Sequence, residues 1–179
     1  MKTSSKRVWL PLIVFAVLVL VLGVGLITRQ QERPSARIAA SFPTFSLPQL
    51  NDPQHLQGPE ILMGHVTLVN IWGSWCPSCE EEVPVLLQLQ HEGVRILGVA
   101  YRDERADAQG FLARHGNPYV DSIMDSDSTL SFDLGVYGAP ETFVVDAHGV
   151  IRYHHAGVLT ATLINQQIRP LLKELASET

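Results

Sequence analysis

Apolar residues fall into blocks whose period changes along the chain. The first is an uncharged run from Val8 to Ile27, with Lys2, Lys6 and Arg7 before it and Arg29 after it. About 20 residues at helical rise span roughly 30 Å, the hydrocarbon thickness of a bilayer. The run therefore predicts a single N-terminal transmembrane helix, with Pro11 tolerated near its start. A cleaved signal has a shorter apolar stretch and a small-x-small site, and Gly23-Val24-Gly25 is a poor version of one. An uncleaved anchor over residues 1–28 is the expectation. Residues 29–40 are polar, with Arg, Gln, Pro and Ser, and read as a tether. Residues 41–179 have the length of one domain with its own core.

Within that domain, Phe42 to Leu47 alternates apolar and polar residues as a short edge strand does, and Asn51 to Gly64 reads mostly as loop. Val66 to Trp72 is a buried strand, and Pro77 to His91 a helix stopped by Gly93. Pro84 predicts a kink inside that helix. Val94 to Tyr101 is the next strand, and Glu104 to His115 the next helix, ended by Gly116. After a polar stretch with Asp121, Asp125 and Asp127, a short helix is expected over Ser128 to Leu134. Thr142 to Asp146 and Val150 to His154 flank an Asp146-Ala147-His148-Gly149 turn and predict a hairpin. Thr160 to Leu175 closes the chain as a helix that Pro170 must kink or split. A β-α-β-α opening, a hairpin and a final helix make an α/β fold of thioredoxin-like element order, a central mixed sheet flanked by helices.

Charge adds a compartment. The basic residues ahead of the apolar run favour a cytoplasmic N-terminus, although Arg29, Arg33 and Arg37 partly balance them. The domain is then periplasmic, on a single-pass anchor in a bacterial inner membrane. The formal net charge of -5 and the lack of a basic stripe argue against nucleic acid as a partner. The chain has 2 cysteines, both in one motif, which suits an oxidising compartment where stray thiols would pair wrongly.

Those cysteines carry the chemistry. Trp75-Cys76-Pro77-Ser78-Cys79 follows the Val66 to Trp72 strand directly and opens the first helix of the domain. Helical geometry brings the two sulfurs together, and the unpaired N–H groups and partial positive charge of the N-terminus favour the thiolate of the first. Cys76 is thus the expected nucleophile of a redox pair. A structural zinc site needs about four ligands, and there is no second cysteine pair. Haem attachment needs a histidine after Cys79, where Glu80 stands. A purely structural bridge over so short a loop would restrain the unfolded chain only weakly. His154 and His155 are adjacent on a strand, point to opposite faces and do not converge on an ion. Neither metal nor cofactor is expected.

Two segments carry a family resemblance: Val69-Asn70-Ile71-Trp72-Gly73-Ser74-Trp75-Cys76-Pro77-Ser78-Cys79, and Gly135-Val136-Tyr137-Gly138-Ala139-Pro140-Glu141-Thr142-Phe143. Together they closely resemble the membrane-anchored thiol:disulfide interchange proteins of cytochrome c maturation, the CcmG/DsbE family. The cysteine motif alone indicates only a thioredoxin-like protein; the second segment is more selective. The resemblance implies a periplasmic reductase that keeps the haem-binding cysteines of apocytochrome c reduced, acting directly or through a partner haem-ligation thiol protein. A transmembrane electron carrier of the DsbD/CcdA type would recharge it. By that analogy Cys76 attacks, Cys79 resolves, and Pro140 is a cis-proline facing the dithiol.

The same resemblance places Glu82 and Glu141 in the active-site groove, where they would disfavour thiolates by like-charge proximity or relay a proton to a leaving sulfur. Glu80 and Glu81 either add to that field or simply complement the helix dipole. Asn70 departs from general thioredoxins, which carry a buried carboxylate there, so Glu82 is the candidate replacement. Trp75 is expected to shield the dithiol, with Pro77 and Ser78 between the cysteines, and Tyr137 to line the groove, while Trp72 belongs to the core. The alternatives are a general periplasmic thioredoxin-like reductase and a non-catalytic module that binds apocytochrome. A copper-delivery protein of similar fold would carry three residues between its cysteines rather than two. A monomer on a tether is the default.

Overall fold

The computed structural model describes residues 13–15, 17–18 and 38–178. The chain divides into two units, residues 1–36 and 37–179. Most of the expected anchor and most of the tether, residues 29–37, lie outside the described residues. Ile13, Val14, Phe15, Val17 and Leu18 are helical and exposed. Among the described residues no helix is long and apolar enough to cross a membrane.

The second unit is built on β3 (Thr67–Trp72), β4 (Arg95–Tyr101), β5 (Asp121–Asp125), β6 (Glu141–Val145) and β7 (Ile151–Ala156), after a small β1 (Leu47–Pro48) and β2 (Leu56–Gln57). The helices are α1 (Pro77–His91), α2 (Arg105–His115), α3 (Thr129–Leu134) and α4 (161–177). The sheet order is β5-β4-β3-β6-β7, with β3, β4 and β5 parallel and β6 and β7 antiparallel to their neighbours. This is the mixed sheet of the thioredoxin-like fold, with helices on its faces.

Strand alternation divides the core in two. Leu68 and Trp72 of β3, Ile96 and Ala100 of β4, and Val144 of β6 pack with Val83, Leu86 and Leu89 of α1, Phe111 of α2 and Ile168 of α4. Val69, Ile71, Leu97, Val99, Phe143 and Val145 point the other way, onto Leu130 and Leu134 of α3 and onto Phe42 and Leu62. Because both faces are covered, β3 is buried at every position, and its sequence is mostly apolar, with Thr67 and Asn70 as its polar residues.

Two expectations need correction. Phe42 to Leu47 is not an edge strand: Ser41 forms an isolated bridge to Val150, and pairing begins only at Leu47 and Pro48, against Gln57 and Leu56. The stretch from Asn51 to Gly64 is mostly loop, as expected, and holds the short β2 and a 3-10 turn, Pro59–Leu62. The polar segment around Asp121 is the edge strand β5. Its Asp125 is fully buried and accepts from the Leu130 and Ser131 N–H groups at 3.2 and 2.8 Å, capping α3. Strand composition hid this, because the aspartate serves a helix.

The C-terminal helix is not interrupted at Pro170. A π segment, Ile164–Ile168, joins Ala161–Leu163 to Arg169–Ser177, and the Arg169 N–H reaches back to the Ile164 carbonyl. Widening the turn just ahead of the proline lets the helix pass a residue that has no N–H to give. α1 likewise runs on through Pro84.

Candidate active site

The loop after β3 and the start of α1 hold Cys76 and Cys79 as a disulfide with Cα atoms 5.3 Å apart. Cys76 is the N-cap of α1, and its sulfur accepts the Cys79 N–H at 3.2 Å. Pro77, at the first helical turn, has no N–H to leave orphaned. Both sulfurs are shielded, Cys76 being 4% and Cys79 1% exposed. The Cys76 sulfur lies 3.4 Å from the Ala139 carbonyl, immediately before the cis Ala139-Pro140 bond. The two motifs, 63 residues apart, therefore meet at the sulfur.

The approach to the motif is tied down from the end of β4. Asp103, 5% exposed, accepts from Ser74 N–H at 2.6 Å, Ser74 Oγ at 2.7 Å and Glu104 N–H at 2.9 Å. Trp75 is 50% exposed and donates its indole N–H to the Tyr101 carbonyl at 3.1 Å. Gly73 leaves room for that indole: an added Cβ would sit 2.6 Å from Trp75 Nε1. Pro77 is exposed and Ser78 half-buried.

One turn after Cys79, on the same buried helical face, lies Glu82 at 1% exposure. Its Oε1 accepts from Asn70 Nδ2 at 2.8 Å and its Oε2 from the Leu159 N–H at 3.1 Å. Burial pushes its pKa up to about 7, and the bonds from Asn70 and Leu159 partly oppose the rise. Asn70 also donates to Thr142 Oγ1 at 3.1 Å and accepts from Tyr119 Oη at 2.8 Å. The Tyr119 ring stacks on Trp72, centroids 5.5 Å apart. Sequence reasoning found Glu82, Asn70 and Trp72; it missed Tyr119, which no motif marks, and gave no role to Thr142, which lies in the second family segment.

Glu141 is placed differently. It shares the parity of Phe143 and Val145 in β6 and so faces away from the Glu82 side of the sheet. Its Oε2 lies 2.6 Å from His154 Nε2, and its Oε1 accepts the Tyr137 N–H at 3.4 Å. The His154 ring stacks on Phe143 at 4.2 Å. Tyr137 is 79% exposed, and Pro140 is buried. Glu80 and Glu81 point to solvent, Glu80 lying 3.6 Å from His115 Nδ1. Among the described residues no group of three or more His, Cys, Asp or Glu is arranged to hold a metal ion.

A buried cysteine pair at a helix N-terminus, next to a cis-proline and a carboxylate, is built for thiol–disulfide exchange. Comparison with known proteins agrees. The redoxin family pattern matches residues 38–168. The chain is 43% identical over 173 residues to the thiol:disulfide interchange protein DsbE of Allochromatium vinosum, covering 96% of each. It is 44% identical over 169 residues to that of Pseudomonas aeruginosa, covering 94% of each. Among solved structures, MTB dsbF in its mixed oxidized and reduced forms superposes with a TM-score of 0.60 at 26% identity, over 75% of this chain and 95% of that one.

Proposed function

The chain belongs to the DsbE family of thiol:disulfide interchange proteins and is a thiol:disulfide oxidoreductase, and from that premise we propose that it works as a periplasmic reductant in cytochrome c maturation. The observation that carries the direction of attack is the asymmetry at the helix start. Cys76 holds the N-cap, and its sulfur receives the Cys79 N–H. A negative charge on Cys76 Sγ is met by that donor and by the positive end of α1.

In the exchange, the Cys76 thiolate attacks one sulfur of a partner disulfide and the partner's S–S bond breaks. The departing partner sulfur leaves as a thiolate and takes a proton. The Cys79 thiolate then attacks Cys76 Sγ, the mixed disulfide breaks, and the second partner sulfur leaves and is protonated. Two electrons and two protons pass to the partner, and the protein ends in the Cys76–Cys79 disulfide. Glu82, one turn from Cys79 and with a pKa of about 7, is the group suited to take the Cys79 proton. The Ala139 carbonyl ahead of Pro140 contacts the attacking sulfur, and Trp75, next to Cys76 in the chain, and Tyr137, in the cis-proline segment, offer exposed aromatic rings for a partner segment.

The partners in this reading are apocytochrome c or a haem-ligation thiol protein on one side and a transmembrane electron donor on the other. The apolar run from Val8 to Ile27 supports a single-pass inner-membrane anchor that leaves the domain in the periplasm. Two experiments test the reading. The reduction potential of the Cys76/Cys79 couple, measured on the full chain against dithiothreitol, is expected well below the roughly -120 mV of strongly oxidising dithiols; a value near theirs reverses the inferred electron flow. The Cys76→Ala, Cys79→Ala double variant is expected to abolish cytochrome c assembly in a strain lacking the native protein; assembly at the normal level would leave only a binding role.

A further inference from the structure

The polar cluster on the Glu82 side of the sheet contains a residue that neither the motif nor the exchange chemistry accounts for. Tyr119 lies in the segment between α2 and β5 and is buried, yet its hydroxyl reaches Asn70 Oδ1 at 2.8 Å. Asn70 has two ends that differ chemically: Oδ1 only accepts and Nδ2 only donates. With Oδ1 held by the tyrosine, Nδ2 faces Glu82 Oε1 at 2.8 Å and Thr142 Oγ1 at 3.1 Å.

Of the three neighbours, only Tyr119 holds the amide in this orientation whether Glu82 is ionised or protonated. Glu82 is served by Nδ2 when ionised, but when protonated it could equally donate to Oδ1. Thr142 Oγ both donates and accepts, so it suits either orientation. Tyr119 does not, because Asn70 Oδ1 is the acceptor that its hydroxyl has among the described residues. Turning the amide over would leave a buried O–H with nothing to receive it, a costly state. Burial, and then the proximity of Glu82, raise the tyrosine's pKa well above its ordinary value, so the hydroxyl remains a donor across the working range.

We propose that Tyr119 is a positioning residue for thiol–disulfide exchange: its hydroxyl locks the Asn70 side-chain amide in the orientation that donates to Glu82, the carboxylate one turn from Cys79. The inference rests on the reading of Glu82 as the proton-handling group of the site, and its test separates the two. The ionisable groups about Glu82 are Tyr119, from the segment before β5, and Cys79, on its own helix. Among the described residues no lysine, arginine or histidine pairs with it, so the Asn70 and Leu159 donors are what hold the ionised form.

Tyr119→Phe removes one oxygen and keeps the ring on Trp72. In the full-chain protein, the carboxyl carbon of Glu82 is followed by NMR against pH, and the rate of reduction of a model disulfide is measured over the same range. The freed amide then presents Oδ1 to a protonated Glu82, and the Glu82 midpoint is expected to rise by roughly one pH unit. Thr142→Val, which leaves the tyrosine lock in place, is expected to move the midpoint much less. An unchanged midpoint in Tyr119→Phe, or an equal rise in both variants, overturns the inference.

If the midpoint rises and the rate profile follows it, both the lock and the role of Glu82 stand. If the midpoint rises and the rate profile does not move, the lock stands and the role of Glu82 in exchange falls. Should Tyr119→Phe not fold, the Asn70 side-chain amide in the unaltered protein decides the matter. Protons that resist solvent exchange and shift with the Glu82 midpoint support the lock, and protons that exchange freely and ignore that midpoint overturn it.

Discussion

Replacing Glu82 with Gln should change how stability depends on pH, by an amount that follows from burial. Glu82 is 1% exposed, and its pKa stands near 7 against an ordinary 4.5. The folded protein therefore holds a proton between those values that the unfolded chain has released. In that window the unfolded state binds fewer protons, so stability falls as pH rises. The contribution is fully present below about pH 4.5 and is lost by the time pH has passed about 7. At about 1.36 kcal/mol per pH unit, the whole effect amounts to roughly 3 kcal/mol.

Glutamine cannot titrate, so the difference in unfolding free energy between the two proteins isolates the term. Urea unfolding of both in the disulfide form, at intervals from pH 4 to 8, is the assay, since oxidised cysteines do not titrate. His155 titrates in the opposite sense within the window, because burial lowers its pKa, but it does so in both proteins and cancels. Asp146 is held below its ordinary range: burial alone would raise it, but the Val150 N–H, Arg152 and the His148 N–H prevail. Its contribution is present above about pH 3.8 and lost as pH falls further, outside the range of the assay. Relative to the Glu82→Gln variant, the unaltered protein should lose about 3 kcal/mol from pH 4 to 8. Parallel curves would refute the claim that Glu82 is protonated by burial, and a difference of opposite sign would mean that its bonds to Asn70 and Leu159 outweigh desolvation.

Other substitutions probe the supports of the site. Gly98→Ala would place a Cβ 2.7 Å from Ser122 Oγ, 2.8 Å from Trp72 Nε1 and 2.9 Å from Tyr119 Cδ2, and should cost about 1–3 kcal/mol in urea unfolding. Asp125→Ala leaves the Leu130 and Ser131 N–H groups of α3 without their acceptor and should cost about 2 kcal/mol, measured the same way. Asp103→Ala releases Ser74, and the exchange rate of the cysteine pair should fall several-fold with only a modest loss of global stability. Equal losses in rate and in folded fraction would make that tie merely structural.

The cysteine motif and the cis-proline segment were legible because each needs particular residues at fixed spacing. The strand–helix alternation was legible from apolar period. What escaped had tertiary causes. β5 carries Asp121 and Asp125, and the second is in a strand because a helix five residues on needs an acceptor. Phe42 looked like the start of a strand, but it serves as a plug in the core beside Leu62. Glu82 and Glu141, grouped by resemblance, lie toward opposite faces of the sheet, which only the β6 register reveals. Tyr119 had no local signal at all, since its partner is 49 residues away.

One signal for the Tyr119 cluster was nevertheless in the sequence, at Gly98. A glycine inside an otherwise apolar strand weakens it and marks a place where something approaches the backbone closely. In the β3–β4 register Gly98 stands opposite Asn70, and in the β4–β5 register opposite Ser122. The volume that a side chain would fill is occupied by the Tyr119 ring, the Trp72 indole and the Ser122 hydroxyl. The missing Cβ is thus what lets Tyr119 lie against the sheet and reach the Asn70 amide, and through it Glu82. If so, Gly98→Ala should act beyond its packing cost and raise the Glu82 midpoint in the same direction as Tyr119→Phe. A core defect at Gly98 that left that midpoint in place would separate packing from the polar chain and remove the glycine from the account.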